Sequence, residues 1–140
     1  VYRGVKQVNS DYVFIHDGAR LFTNKKVMSR LKHGLEDFDS VSPYVSVVDT
    51  LKRHEEYIMG DDVDRNKLVQ IQTPQCFHKD VILRAHEEAP HKNFTCDASL
   101  VNDVLGVKTL LVSGDRKHLK FTTQEDLDIM ELIIRDTYWK

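Results

Sequence analysis

Short runs of β-forming residues alternate with segments of helical periodicity along this chain, and that alternation restricts its fold more than any other feature. Tyr12, Val13, Phe14 and Ile15 make one such run, and residues 41–48, 68–71 and 107–112 repeat its character. Between the first two, Val27, Met28, Leu31, Leu35 and Phe38 recur at three- and four-residue spacing behind a cap at Thr23 or Asn24. Val81, Ile82 and Ala85 predict a helix near 79–89 that Pro90 ends. Leu100, Val101, Val104 and Leu105 predict another, opened by Thr95 or Asp97 and closed by Gly106. Val1, Val5 and Val8 read as the last turns of a helix at the start of the chain. At its end, Thr122 and Glu125 form a capping-box pattern before a face of Leu127, Met130, Ile133, Ile134 and Thr137. Strands alternating with helices predict an α/β layered domain with a mostly parallel sheet.

Residues 49–67 break the pattern. Their few apolar residues cannot form a core, so they predict a polar hairpin, an arm projecting from the body, with Gly60-Asp61-Asp62 as its turn. The remainder fits one domain: 140 residues suffice for one core, and neither repeats nor a Pro/Gly/Ser-rich linker divides them. Hydrophobic residues at 41% and charged residues at 30% are those of a globular chain.

Composition also narrows the function. Twenty Lys and Arg against 22 Asp and Glu leave a net charge of -2, so no global positive field draws nucleic acid or anionic lipid, and an anion site must be local. No apolar run approaches the roughly 18–20 residues of a membrane span. The start lacks both Met and a signal-peptide core, which reads as a segment of a longer protein. Cys76 and Cys96, without Cys-x-x-Cys or zinc-finger histidines, argue against structural zinc or a disulfide framework and for a reducing, cytoplasmic setting.

In open α/β sheets ligands bind beyond the carboxyl ends of the strands. Those ends carry His16-Asp17-Gly18-Ala19-Arg20, Asp49-Thr50, Thr73-Pro74-Gln75 and Gly114-Asp115. Asp17 and Arg20 are spaced for a salt bridge, as a bracing pair or as part of a site, and His16 reads as a residue that orients the loop. Lys120, just before the last helix, is placed either to meet an anion together with that helix's free N–H groups or to stand as an exposed lysine on an edge strand. Arg53 and Arg65 on the arm leave the same two readings open. Cys76 reads as a buried structural thiol. The six glycines are dispersed, with no Gly-x-x-x-x-Gly-Lys and no Gly-x-Gly-x-x-Gly, so none of these segments cradles a triphosphate. His-Glu-x-x-His and Gly-x-Ser-x-Gly are absent as well.

Taken in order, His16-Asp17-Gly18-Ala19-Arg20, Asp49-Thr50-Leu51-Lys52-Arg53, Asp64-Arg65-Asn66-Lys67-Leu68, Thr73-Pro74-Gln75-Cys76-Phe77, the 95–101 block around Asp97-Ala98-Ser99 and the 120–127 block from Lys120 resemble the 2-C-methyl-D-erythritol 4-phosphate cytidylyltransferase family. The resemblance implies a Rossmann-like nucleotidyltransferase fold. It also implies transfer of CMP from CTP to a sugar-alcohol phosphate with release of pyrophosphate, in non-mevalonate isoprenoid biosynthesis, with Mg²⁺ accompanying CTP. By the same resemblance Arg65 and Lys120 orient the attacking phosphate and are the catalytic candidates. Asp17, Arg20, Thr50 and Thr73 bind substrate, Asp17 doubles as a metal ligand, and the arm reaches across a homodimer. Three positions depart from the family: Leu21 stands for a proline, Cys96 for an acidic residue and Gln124 for a proline. The family's N-terminal glycine-rich loop, with the Arg and Lys that hold CTP, has no counterpart in these residues. The expectation is therefore a partial nucleotidyltransferase domain over 1–140, inactive by itself. Two alternatives share the motifs: a ribitol 5-phosphate or related polyol-phosphate cytidylyltransferase, and a non-catalytic dimerisation module of the same fold.

Overall fold

A computed structural model describes residues 1–21, 24–90 and 93–138. Thr23 and the side chain of Thr137 lie outside the described residues. Helix α1 (Tyr2–Gln7) leads to strand β1 (Tyr12–Ile15), helix α2 (Lys25–Gly34) and strand β2 (Ser40–Ser46). The arm follows as β3 (Leu51–Glu55) and β4 (Ile58–Val63). After a 3₁₀ turn at Arg65–Lys67 come β5 (Val69–Ile71), β6 (Gln75–His78), α3 (Lys79–Glu88), α4 (Asp97–Leu105), β7 (Leu110–Ser113) and α5 (Gln124–Tyr138).

The α/β class and the separate arm agree with the sequence reading, but the sheet is mixed rather than mostly parallel. Among the described residues five strands join in it, and only β2 and β7 pair in parallel; β1 with β6, β2 with β6 and β2 with β5 are antiparallel. Two strands run against the others, β5 and β6, and Pro74 with the polar Gln75 and His78 conceals β6 in the sequence. It lies between β1 and β2, and β1, β2 and β7 still share one direction. Tyr44 pairs with Ile71 and Val41 with Cys76, so two residues of β2 face four of the opposing segment, 72–75. The surplus is absorbed around Gln72, Thr73 and Pro74, which bulge out at the end of β1.

Neighbouring residues of a strand face opposite sides of a sheet. Phe77 accordingly joins Val5, Val13, Ile82, Ala85, Leu100 and Val101 in a core under α1, α3 and α4, and Cys76 joins Val27, Leu31, Leu35 and Val41 under α2. At Gly34 a Cβ would sit 3.0 Å from Val41 Cγ1 and Leu110 Cδ2, so a glycine allows α2 this close to the sheet. The helix ends there, which leaves Phe38 beyond it and exposed. Of the first predicted helix only Val5 is buried. Gly106 closes α4 at φ 69°, the left-handed conformation that favours glycine.

The arm forms a two-stranded sheet of its own. Its turn is Glu56-Tyr57, between the paired Glu55 and Ile58, with Glu56 at φ 49°. Gly60 lies instead inside β4, where the register slips opposite Arg53 and its Cβ position is 3.3 Å from Arg53 O. A bulge, not a turn, is what this glycine serves. The last helix is capped one residue later than Thr122 and Glu125 suggest: Asp126 Oδ2 accepts from Thr122 N at 2.7 Å and Thr123 N at 2.8 Å, and Asp126 N donates to Thr123 Oγ1 at 3.3 Å. Met130, Ile133 and Ile134 are half-buried on its face, and Leu127 is exposed.

Candidate active site

Four of the six residues singled out from the sequence converge at one end of the sheet. The turn leaving β1 folds back through Arg20 N to Asp17 O at 3.0 Å, bringing both side chains to one side. Asp17 Oδ2 lies 3.4 Å from Arg20 Nε and 3.2 Å from Lys120 Nζ, so one carboxylate oxygen holds two cations. Arg20 is 12% exposed, Asp17 34% and Lys120 48%, a gradient from the protein wall to solvent. Thr73, on the bulge after β5, accepts from Asp17 N at 3.1 Å and meets His16 Nδ1 at 2.8 Å. These residues line a cavity of about 510 Å³ shared with Gln75 and Cys96.

Lys120 stands on a loop rather than on an edge strand and pairs with Asp17, while the N–H groups at 122 and 123 ahead of α5 are taken up by Asp126. Those contacts hold the Asp126 carboxyl below its usual range. The loop carrying Lys120 is fastened by Arg20 Nη1, which donates to His118 O at 2.7 Å, and by Phe121 N, which donates to Ala19 O at 2.9 Å.

Residues to which the sequence assigns no substrate or catalytic role hold the site in place. Gln72 is buried and pairs with Asp115 like a short strand, its Nε2 donating to Asp115 O at 2.8 Å and its Oε1 accepting from Asp115 N at 3.1 Å. Gly114 makes this approach possible, because a Cβ would fall 2.2 Å from Gln72 Oε1 and 2.9 Å from Tyr44 O. Asp115 accepts from Lys117 N at 2.9 Å and from Asn24 Nδ2 at 2.6 Å; these bonds, the backbone one foremost, hold its carboxyl below the usual range. Asn24 also caps α2 by accepting from Lys26 N. Gln75 Oε1 accepts from Ala98 N at 3.1 Å, supplying α4 with the cap that Cys96 does not give it. His118 is buried beside His16, ring centroids 5.3 Å apart, with neither ring nitrogen bonded. Burial, then the nearby His16 and Arg20, push its pKa down. Apart from the Asn24 cap, these roles come from contacts between distant segments and do not follow from local spacing.

Arg65 and Thr50 do not join the cavity. Both are exposed at the root of the arm, where the Arg65 guanidinium donates to Val48 O. In this structure Asp17 Oδ2 is shared between the two side-chain cations, Arg20 and Lys120. Asp97, the other acid of the cavity, pairs with His86 Nε2 at 3.2 Å. Among the described residues no three His, Cys, Asp or Glu side chains gather as a metal cage. Cys96 meets Ser99 Oγ at 3.3 Å; burial raises its pKa, but hydrogen bonds led by Ser99 and Gln75 outweigh that and lower it. Cys76 is fully buried, and burial drives its pKa upward, as a structural thiol requires. Among the described residues no helix is long and apolar enough to cross a membrane.

Comparison with known proteins bears on this arrangement. The family model described as 2-C-methyl-D-erythritol 4-phosphate cytidylyltransferase matches residues 1–136. A protein of that name from Caldanaerobacter subterraneus subsp. tengcongensis is 38% identical over 139 residues, covering 96% of this chain and 61% of the relative. One from Geobacillus thermodenitrificans is 37% identical, with 96% and 60% covered. The crystal structure of 2-C-methyl-D-erythritol 4-phosphate cytidylyltransferase from Thermus thermophilus superposes with a TM-score of 0.90 at 29% identity, over 96% of this chain and 67% of that one. The chain thus spans about three-fifths of the length of the curated relatives it matches.

Proposed function

The chain belongs to the 2-C-methyl-D-erythritol 4-phosphate cytidylyltransferase family, and from that premise we propose that the protein carrying it at full length transfers CMP from CTP to 2-C-methyl-D-erythritol 4-phosphate in isoprenoid biosynthesis. A phosphate oxygen of the alcohol phosphate attacks the α-phosphorus of CTP. A new P–O–P bond forms, the bond to the bridging oxygen of the β-phosphate breaks, and pyrophosphate leaves. Two polyanions must meet, so the site needs cations placed before they arrive.

The observation that carries this reading is the pair of cations, Arg20 and Lys120, gathered on Asp17 at the cavity that Thr73 lines. Asp17 holds Lys120 in position until the phosphate competes for it, and then turns its acceptor oxygen to the polyol. Arg20, fixed by the His118 carbonyl, is the less mobile of the two. Arg65 and Thr50, away from their own chain's cavity, act in a second copy that the arm reaches across a homodimer. Mg²⁺ enters with CTP, and no role of this chain's residues passes through it. The setting is cytoplasmic, with no part for nucleic acid or membrane.

Pyrophosphate release decides the matter. The full-length protein with CTP should release it with 2-C-methyl-D-erythritol 4-phosphate and far more slowly with ribitol 5-phosphate, while residues 1–140 alone should release none. Equal use of ribitol 5-phosphate would assign the polyol alternative, and no release with either would leave the dimerisation module.

A further inference from the structure

We propose that His16 sets the hydrogen-bond polarity of Thr73, so that Thr73 meets the substrate as an acceptor and grips an alcohol O–H rather than a phosphate oxygen. The inference rests on the polyol phosphate of the proposed function and goes beyond it by assigning which part of that substrate Thr73 takes.

The argument begins at the far side of the imidazole. His16 Nε2 lies 3.0 Å from Arg20 O. A carbonyl only accepts, so Nε2 carries the hydrogen, and in the uncharged ring Nδ1 is left with a lone pair. Nδ1 is 2.8 Å from Thr73 Oγ1, so the threonine donates its single hydroxyl hydrogen to the histidine. That oxygen has two lone pairs, and Asp17 N–H, 3.1 Å away, takes one of them. One lone pair remains for the cavity that Thr73 lines. A phosphate oxygen brings lone pairs of its own and finds no hydrogen there, whereas a substrate hydroxyl finds an acceptor. The phosphate's partners lie on the same wall, in Lys120 and Arg20. Anion and alcohol are therefore received by different groups.

The buried ring of His118, 5.3 Å from that of His16, limits how His16 can turn. Arg20 contributes twice, once through its carbonyl to His16 and once through its guanidinium to the His118 carbonyl. His16 is thus a positioning residue: it acts on substrate only through Thr73.

Binding of 2-C-methyl-D-erythritol 4-phosphate and of analogues each lacking one hydroxyl tests the inference, by calorimetry on the full-length protein at about pH 8, where imidazoles are mostly uncharged. One analogue should bind about 10- to 100-fold more weakly than the parent. In Thr73→Val that ratio should shrink to about threefold or less, and His16→Phe, which keeps a ring but frees the threonine hydrogen, should compress it similarly. Competition by inorganic phosphate should be unchanged in both, which also shows that the site remains folded. A merely structural histidine would weaken parent and analogue alike and leave the ratio intact. An unchanged ratio in either variant, or a loss of phosphate competition matching the loss of substrate, overturns the proposal. Turnover measured alongside separates the two readings: collapsed ratios without CTP-dependent turnover support Thr73 as an acceptor and refute the transferase, and unchanged ratios with turnover do the reverse.

Discussion

The wall of the cavity and the arm are built from similarly polar sequence and are ordered by opposite means. The wall draws on segments remote in the chain: His16, Asp17 and Arg20 after β1, Gln72 and Thr73 between β5 and β6, and 115–120 after β7 are joined by side chains that each make a specific bond. The arm pairs β3 with β4 and carries Tyr57, Ile58 and Met59 exposed at its tip. Polar residues become rigid where buried partners such as Gln72 and Gln75 satisfy them. Where only a neighbouring strand does so, they give reach without a fixed place. In the proposed reaction the wall supplies position and the arm supplies Arg65 to a second copy.

The largest expected effect breaks the comparison at the arm. Deleting residues 51–64 from the full-length protein should abolish transferase activity and convert a dimer to monomer on sedimentation. Arg65→Ala should cost about 2 to 4 kcal/mol in kcat/KM for the alcohol phosphate. A Lys in its place should not restore full function, because it cannot offer two parallel N–H bonds to one phosphate. An active monomer after deletion would place the arm outside the chemistry.

Stability should divide along the same line. Ile82, buried on the inner face of α3, should cost about 2 to 5 kcal/mol when cut to alanine. Ile58, 73% exposed on the arm, should change unfolding by no more than about 0.5 kcal/mol under the same treatment. Urea unfolding of both variants makes the comparison, and equal losses would mean that the arm carries part of the core. Gly114→Ala sharpens the account of the wall: it forces a methyl onto Gln72 and the Tyr44 carbonyl, and about 1 to 3 kcal/mol should be lost.

The smallest effect is a pH dependence. Asp115 has a folded pKa lowered by the N–H of Lys117 and the amide of Asn24, so its contribution is present above the unfolded value, about 3.9, and is lost as pH falls through the folded one. Asp115→Asn should therefore flatten the acid limb of a stability-versus-pH curve below about pH 4 and shift stability by up to roughly 1 kcal/mol at neutral pH. An unaltered acid limb would show that the carboxylate contributes nothing to holding the loop.

How far the sequence discloses all this depends on the range of the interaction involved. Gly106 and Asn24 are read correctly because a helix end is a local event. Gly60 misleads because glycine serves a turn and a close approach equally well, and the actual turn uses Glu56-Tyr57, which carries no turn signal. Strand β6 escapes notice because Pro74 suggests a break and Gln75 and His78 suggest a surface, whereas Gln75 is buried to cap α4. The spacing of Asp17 and Arg20 announces their pairing, but Lys120 reaches Asp17 from 103 residues away, and only the fold brings them together. His118 gives no sign at all, being one basic residue after Arg116 and Lys117.

Steady-state kinetics of Lys120→Ala in the full-length protein, with each substrate varied while the other is saturating, test the central claim most directly. If Lys120 is the cation that receives the alcohol phosphate, kcat/KM for 2-C-methyl-D-erythritol 4-phosphate should fall by about 2 to 4 kcal/mol while KM for CTP shifts only a few-fold. Normal turnover, or a defect confined to CTP, would contradict the claim and leave Lys120 as a surface cation whose only work is its ion pair with Asp17.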